Sequence, residues 1–209
     1  MFTKAQVRDW LEKSFALLIE HKQELTELDS AIGDGDHGEN MARGFKALCD
    51  QLPELEERSM PEMLKGAGMV LLSSVGGVSG PLYGTFFLKG SEAVPDTQGL
   101  DEDGLYEFLS HAVEGLKSRG RAELTDKTMV DVWDPAVAAY KKSLVAGSSM
   151  HEALEAALSV AAEGMERTTP LIARKGRASY LGERSKGHQD PGATSSYYII
   201  KALAQSIGG

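Results

Sequence analysis

The sequence predicts an all-α fold of eight helices, packed as a bundle or barrel of antiparallel helices. Apolar residues recur three and four positions apart along almost the whole chain, which is the period of a helix with one buried face. In addition, no stretch shows the sustained alternation of apolar and polar residues that marks a half-buried strand. The β-branched run at residues 197–200 is short and continues into the helical sequence 201–204.

The first four helices are placed by their apolar faces and their end signals. The first covers about residues 4–24, and the second begins just after the group of aspartates described below. The third begins at Pro61, because proline suits the first turn of a helix, and it ends near Ser74. The fourth begins near Pro81, after a glycine-rich loop.

The next three helices follow from the same signals. Asp101 or Asp103 can cap the fifth helix, since a carboxylate accepts hydrogen bonds from the free N–H groups of a first turn. The sixth covers residues 128–145, and Ser148 or Ser149 begins the seventh. The last helix comes after a long irregular segment and covers about residues 192–206.

Length and composition predict one globular domain over residues 1–209, with 42% hydrophobic and 25% charged residues. The net charge of -9 argues against nucleic-acid binding, which depends on a basic surface. The single cysteine, Cys49, cannot form an internal disulfide, and no apolar run near Met1 predicts a signal peptide. These features predict a cytoplasmic protein.

Residues 66–88 carry no charge and are long enough to raise the question of a membrane span. However, six glycines and Pro81 divide the stretch into apolar pieces that are each too short to cross a bilayer. We therefore expect two buried helices with a glycine-rich loop between them, and no membrane association.

The most informative pattern is a group of three aspartates, Asp29, Asp34 and Asp36, among glycines. Carboxylates this close together repel one another unless a cation lies between them. Because they offer only oxygen ligands, they favour a hard ion such as Mg²⁺ or Ca²⁺ over zinc. The glycines allow the backbone to turn sharply beside the ion. The pattern predicts a metal–phosphate site, with a solvated acidic turn as the alternative.

Two better-known motifs fit this segment poorly. Gly33, Gly35 and Gly38 match the dinucleotide-binding string G-x-G-x-x-G, but residues 24–29 before them are not a buried strand. An EF-hand loop that began at Asp34 would need glycine where Glu39 stands.

Two further segments have the residues of a polyphosphate site. The loop at 73–80 offers hydroxyls and closely approachable N–H groups ahead of a helix, although close helix packing explains its glycines equally well. The irregular segment at 170–192 contains five cations, Arg174, Lys175, Arg177, Arg184 and Lys186. Arginine suits phosphate through its planar fork of donors, whereas a mobile basic loop is the alternative interpretation.

Taken together, the motifs resemble one family from end to end. The aspartate segment at 28–38, the loop at 71–77, the sequence at 80–85 and the two segments at 173–185 and 187–195 are similar to the nucleotide-binding subunits (DhaL) of dihydroxyacetone kinases. The resemblance implies a barrel of eight antiparallel helices with the nucleotide and metal at one end.

The resemblance also implies site residues. Mg²⁺, with two ions expected, would be held by Asp29, Asp34 and Asp36. Contacts to ADP or ATP would come from His37, Gly38, Glu39, Asn40, Val78, Ser79, Gly120, Met129, Arg177, Asp190, Pro191 and Gly192. Glu39 replaces an expected apolar residue, so its contact should come from the backbone. Arg177 is the predicted catalytic residue, facing the phosphoryl group in transfer.

In bacterial systems of this family, the free-standing subunit keeps ADP as a bound coenzyme. A phosphohistidine-carrying phosphotransferase protein recharges it, and the phosphoryl group passes to dihydroxyacetone on a partner subunit. A regulatory protein and a homodimer stay open as further partners. The alternatives are an ATP-dependent kinase subunit for another small ketose, a nucleotide-sensing regulatory protein and, more weakly, a Mg-dependent phosphohydrolase.

Overall fold

The computed structural model describes residues 1–207, and within them the chain is almost entirely helical. The α-helices are α1 (Lys4–Glu20), α2 (Lys22–Ile32), α3 (His37–Leu55), α4 (Met60–Ser74), α5 (Ser79–Ser91), α6 (Glu102–Gly120), α7 (Val130–Val145), α8 (Met150–Arg167) and α9 (Pro191–Ile207). A 3₁₀ helix spans Arg177–Ser185, and two short strands, β1 (Phe2–Thr3) and β2 (Gly99–Leu100), pair antiparallel. The all-α class is confirmed.

The predicted first helix, at residues 4–24, was wrong, and so was the total of eight. Residues 1–207 contain nine α-helices, because the chain leaves the helical conformation at His21 and starts again as α2. No glycine or proline marks this break. Instead, the His21 ring stacks on Tyr198 of α9, with ring centroids 4.1 Å apart. The break therefore coincides with a contact between distant residues, and α2 carries Asp29 to the site.

Several predicted helix ends are confirmed. Asp101 caps α6 by accepting the N–H of Gly104 at 2.8 Å. Ser149 caps α8, and Glu152 bonds back to its N–H and hydroxyl, so both free groups at this end are satisfied. The start of α5 also agrees with the prediction, since the helix begins at Ser79, two residues before Pro81.

The helices pack in a closed order around one core. From α3 to α9, each helix packs against the next, α9 packs against α1, and α1 against α3. The remaining helix, α2, lies against α3 and α9. Aromatic rings fill the centre, where Trp10 contacts Phe87 and Phe108 and its indole N–H donates to the carbonyl of Ile199. The detailed barrel geometry stays a prediction.

A small separate apolar cluster holds the 3₁₀ helix in place. Ala173 and Ala178 are buried against Ile32 at the end of α2, and Leu181 packs on the same cluster. The irregular segment is therefore seated beside the aspartates. Among the described helices, none combines the length and the apolar character needed to cross a membrane.

Candidate metal and phosphate site

The three aspartates meet at one point. Each of Asp29, Asp34 and Asp36 offers a carboxylate oxygen, and these oxygens all lie within 4.8 Å of one another. Asp29 is buried at the end of α2, whereas Asp34 and Asp36 are in the exposed turn before α3. Three converging oxygen donors, with at least two of them open to solvent, fit a hard divalent cation that also keeps ligands of its own.

The backbone of the turn holds Asp29 in position. Its Oδ2 accepts the N–H groups of Asp36 at 2.9 Å and His37 at 3.1 Å. Burial raises the pKa of the Asp29 carboxyl, and these two hydrogen bonds oppose that rise. Gly33 is needed for the same geometry, because a Cβ at this position would lie 2.1 Å from Asp29 Oδ1.

His37 connects three helices beside the three aspartates. Its Nδ1 lies 3.2 Å from the hydroxyl of Ser79 on α5, and its Nε2 lies 3.0 Å from the hydroxyl of Ser195 on α9. Burial lowers the pKa of His37 to about 4, so the ring is neutral near pH 7. Ser195 in turn contacts the hydroxyl of Tyr83 at 3.1 Å. This network fixes the starts of α3, α5 and α9 relative to one another.

The glycine loop before α5 approaches the start of α3 closely. A Cβ on Gly76 would press against the side-chain oxygen of Asn40, which would then have to move. Gly77 has a positive φ of 63°, which is unfavourable for other residues. As a result, Val78 and Ser79 stand beside His37 on one wall of a cleft.

This cleft has a volume of about 170 Å³. The first residues of α3, α5, α7 and α9 all line it, so four helix N-termini converge there. The dipoles of these helices favour an anion, and the aspartates favour a cation at the same place.

Asp190 lies where α9 begins. Desolvation raises the pKa of its carboxyl to about 7, while the N–H of Ala193 and the charge of Lys127 act in the opposite direction. Pro191 and Gly192 continue along the same wall of the cleft. The Asp-Pro-Gly turn is thus both the start of a helix and part of the site.

Arg177 brings positive charge to the aspartates. Its Nη1 lies 3.0 Å from Asp34 Oδ2, and the side chain is 60% exposed. Lys175 also lines the cleft, whereas Arg184 and Lys186 do not. Arg174 lies 4.0 Å from Asp126 at the edge of the segment. The segment therefore presents one of its five cations directly to the predicted metal cluster.

Most of the predicted site residues line the cleft, with two exceptions. Gly38 packs against α2, where a Cβ would lie 2.2 Å from the carbonyl oxygen of Lys22. Glu39 forms an exposed ion pair with Lys22 at 2.8 Å. The ligand roles of all these residues stay predictions. Gly120 and Met129, which had no local signal, do lie in the cleft wall.

Sequence reasoning missed two parts of the cleft. One is an apolar wall formed by Leu82, Leu116, Ala122 and Val130, which the helical spacing predicts only as general core. The other is Lys127, whose nearby sequence shows no motif. Its exposed fraction is 1%, which is unusual for lysine.

The comparison with protein families is consistent with this site. A model described as the DAK2 domain matches residues 31–205. The chain belongs to the DAK2 domain family. This match covers Asp34, Asp36, the glycine loop and the segment that carries Arg177, and it begins two residues after Asp29.

Two curated relatives of this DAK2 chain match along almost their whole length. The "PEP-dependent dihydroxyacetone kinase, ADP-binding subunit DhaL" of Escherichia coli (strain K12) is 46% identical over 97% of this chain and 96% of its own. The "PTS-dependent dihydroxyacetone kinase, ADP-binding subunit DhaL" of Lactococcus lactis is 40% identical over 99% of this chain and 100% of its own. The resemblance seen in the motifs is confirmed.

A solved structure has the same fold. The dihydroxyacetone kinase from C. freundii, in complex with AMP-PNP and Mg²⁺, matches 97% of this DAK2 chain with a TM-score of 0.69 and 28% identity. The match covers 34% of that longer chain.

Proposed function

We propose that this DAK2 protein is the ADP-binding subunit of a multi-subunit dihydroxyacetone kinase. It would receive a phosphoryl group from a phosphohistidine donor protein on bound ADP and pass it to dihydroxyacetone on a partner subunit. The observation that carries the proposal is the convergence of three carboxylates, four helix N-termini and Arg177 on one cleft. Near full-length identity to relatives named as ADP-binding subunits supports it.

Each wall of the cleft has a distinct task in this proposal. The aspartates would hold Mg²⁺, which when bound neutralises the negative charge on the phosphate oxygens. The N–H groups at the start of α5 would bind the phosphates. The apolar wall of Leu82, Leu116 and Val130 offers a seat for the flat base. Arg177 would stabilise the charge on the phosphoryl group during transfer.

The cleft accounts for a phosphoryl donor but not for a ketose acceptor. The aspartates and Arg177 suit a metal ion and phosphate, and the relatives are named as subunits. We therefore place the ketose on a separate partner subunit, which must dock over the cleft so that donor and acceptor oxygens align. A regulatory protein and a homodimer stay predictions, as do the number of Mg²⁺ ions and the precise reaction class.

The binding part of this proposal predicts a large thermal stabilisation by ADP with Mg²⁺. A ligand at 1,000 times its dissociation constant adds about 4 kcal/mol to the free energy of unfolding. We expect the melting temperature, measured by differential scanning fluorimetry, to rise strongly with Mg–ADP and little with Mg²⁺ alone. Excess EDTA should reverse the gain. Equal stabilisation by AMP would show that the phosphate wall is not the main anchor.

A further inference from the structure

Lys127 is the only cationic side chain in the described chain that is both fully buried and part of the cleft wall. Its ammonium group is surrounded by backbone carbonyls. It donates to the carbonyl oxygens of Thr168 at 2.8 Å and Leu171 at 3.1 Å and also to that of His188, with Thr169 at 3.5 Å. These carbonyls lie more than forty positions further along the chain.

The carbonyls belong to the two ends of the segment that carries Arg177. Thr168 and Leu171 lie where the chain leaves α8, and His188 lies just before α9. The same two ends also bond directly, since the Gly187 N–H donates to the carbonyl of Thr169 at 2.8 Å and the Asp190 N–H to the hydroxyl of Thr168 at 3.0 Å. Lys127 thus closes residues 168–190 into a loop at its base.

The backbone around Lys127 has a conformation that directs this side chain towards the carbonyls. Lys127 and Thr125 both have positive φ values, 63° and 72°, which are unfavourable for residues with a Cβ. Asp131 holds the loop in this shape by accepting the N–H groups of Thr125 at 2.5 Å and Thr128 at 2.8 Å. Strain that is held in place by hydrogen bonds is typical of a backbone with a functional task.

These contacts also exclude direct binding of a phosphate by the Lys127 ammonium group. An ammonium group has three N–H donors, and at least three carbonyls already accept them. No donor is left for a phosphate, although the side chain lines the cleft. Removing the ammonium would take away the donor to the carbonyls of Leu171 and His188, whereas the carbonyls of Thr168 and Thr169 still accept the N–H groups of Leu171 and Gly187. The loss of a partner at these two carbonyls is costly.

We propose that Lys127 is a positioning residue that closes the base of segment 168–190 and so sets the positions of Arg177 and Asp190 at the cleft. The effect of this closure on nucleotide binding rests on the proposed function, whereas the closure of the segment does not depend on that function. Mg²⁺ binding should be independent of Lys127, because the aspartates lie on α2 and the turn before α3.

The test compares Lys127→Met with a control, Lys141→Met. Methionine keeps the length of the side chain and removes its donors, while Lys141 is a half-exposed lysine of α7 that pairs with Asp103 at 2.7 Å. Loss of hydrogen bonds to a charged group changes an equilibrium constant by about tenfold or more. We therefore expect Lys127→Met to speed amide hydrogen exchange at Gly187 and Asp190 by about tenfold or more.

In the same variant, ADP affinity in the presence of Mg²⁺ should fall by about tenfold, while Mn²⁺ bound alone, followed by electron paramagnetic resonance, is not weakened. The control should match the wild type in both measurements. Wild-type exchange in Lys127→Met would overturn the proposal. Loss of ADP affinity with wild-type exchange would also overturn it, because it would show a direct contact. If the wild type itself binds no ADP, the nucleotide function fails, and the exchange result still decides the closure.

A second measurement needs no variant and covers the case in which Lys127→Met does not fold. In the wild-type protein, the amides of Gly187 and Asp190 lie at one end of the segment and bond to Thr169 and Thr168 at the other end. A single closure requires both amides to open together, with the same free energy in native-state hydrogen exchange. Independent opening of the two amides would contradict the proposal.

Discussion

Replacing Asp34 with asparagine is expected to weaken binding of Mg–ADP by more than about a hundredfold. Asp34 is one of three carboxylates whose oxygens lie within 4.8 Å of one another, and it also pairs with Arg177 at 3.0 Å. The substitution removes a charge from a site for an ion that tolerates few ligand changes. Changes in groups beyond the first ligands already cost ten- to hundredfold in many metal sites, so a direct ligand should cost more.

Isothermal titration calorimetry of ADP in the presence of Mg²⁺ measures this loss, and circular dichroism checks that the helical content is retained. Asp50→Asn is the matched control, because Asp50 is an exposed aspartate of α3 that pairs only with Lys46 across one turn. The control should bind like the wild type. An unchanged affinity in Asp34→Asn would remove Asp34 from the metal site.

Replacing Arg177 with alanine is expected to lower the rate of phosphoryl transfer by about a thousandfold, with a much smaller loss of ADP affinity. Its guanidinium reaches the aspartate cluster from an exposed position. There it can move with the phosphoryl group and stabilise the negative charge that develops on it. Stabilisation of that charge acts mainly in the transition state and therefore on the rate.

The transfer rate is measured with the partner subunit and the phosphohistidine donor present, and ADP affinity is measured separately by calorimetry. Arg184→Ala is the control, because Arg184 lies on the same 3₁₀ helix but does not line the cleft. Equal losses of rate and affinity in Arg177→Ala would make Arg177 a binding residue only.

The parts of the site that sequence predicted are those with a strong local pattern. Three aspartates and several glycines within twelve positions are a pattern that predicts a metal–phosphate site. The structure brings the carboxylate oxygens of these aspartates together as expected. Arg177 was selected from five cations of an irregular segment, and it is the one that reaches Asp34. Charge and spacing were enough to predict the aspartates, whereas the choice of Arg177 came from the resemblance to the family.

The parts that sequence missed depend on contacts between distant residues. The break at His21 coincides with stacking on Tyr198, and no turn residue in the sequence predicts it. Lys127 is buried because carbonyls more than forty positions away accept its hydrogen bonds. An isolated lysine in a sequence is normally solvated, so nothing local indicates this role. Such features become visible only once the helices are packed.

The proposed function is tested most directly by asking whether this chain can phosphorylate dihydroxyacetone alone. The purified protein is incubated with Mg²⁺, nucleotide and dihydroxyacetone, and dihydroxyacetone phosphate is measured before and after addition of the sugar-binding subunit and the phosphohistidine donor. We expect no product from the chain alone and steady product only with both additions, with ATP unable to replace the donor. Substantial product from the chain alone would contradict the assignment as a nucleotide-carrying subunit of a split kinase.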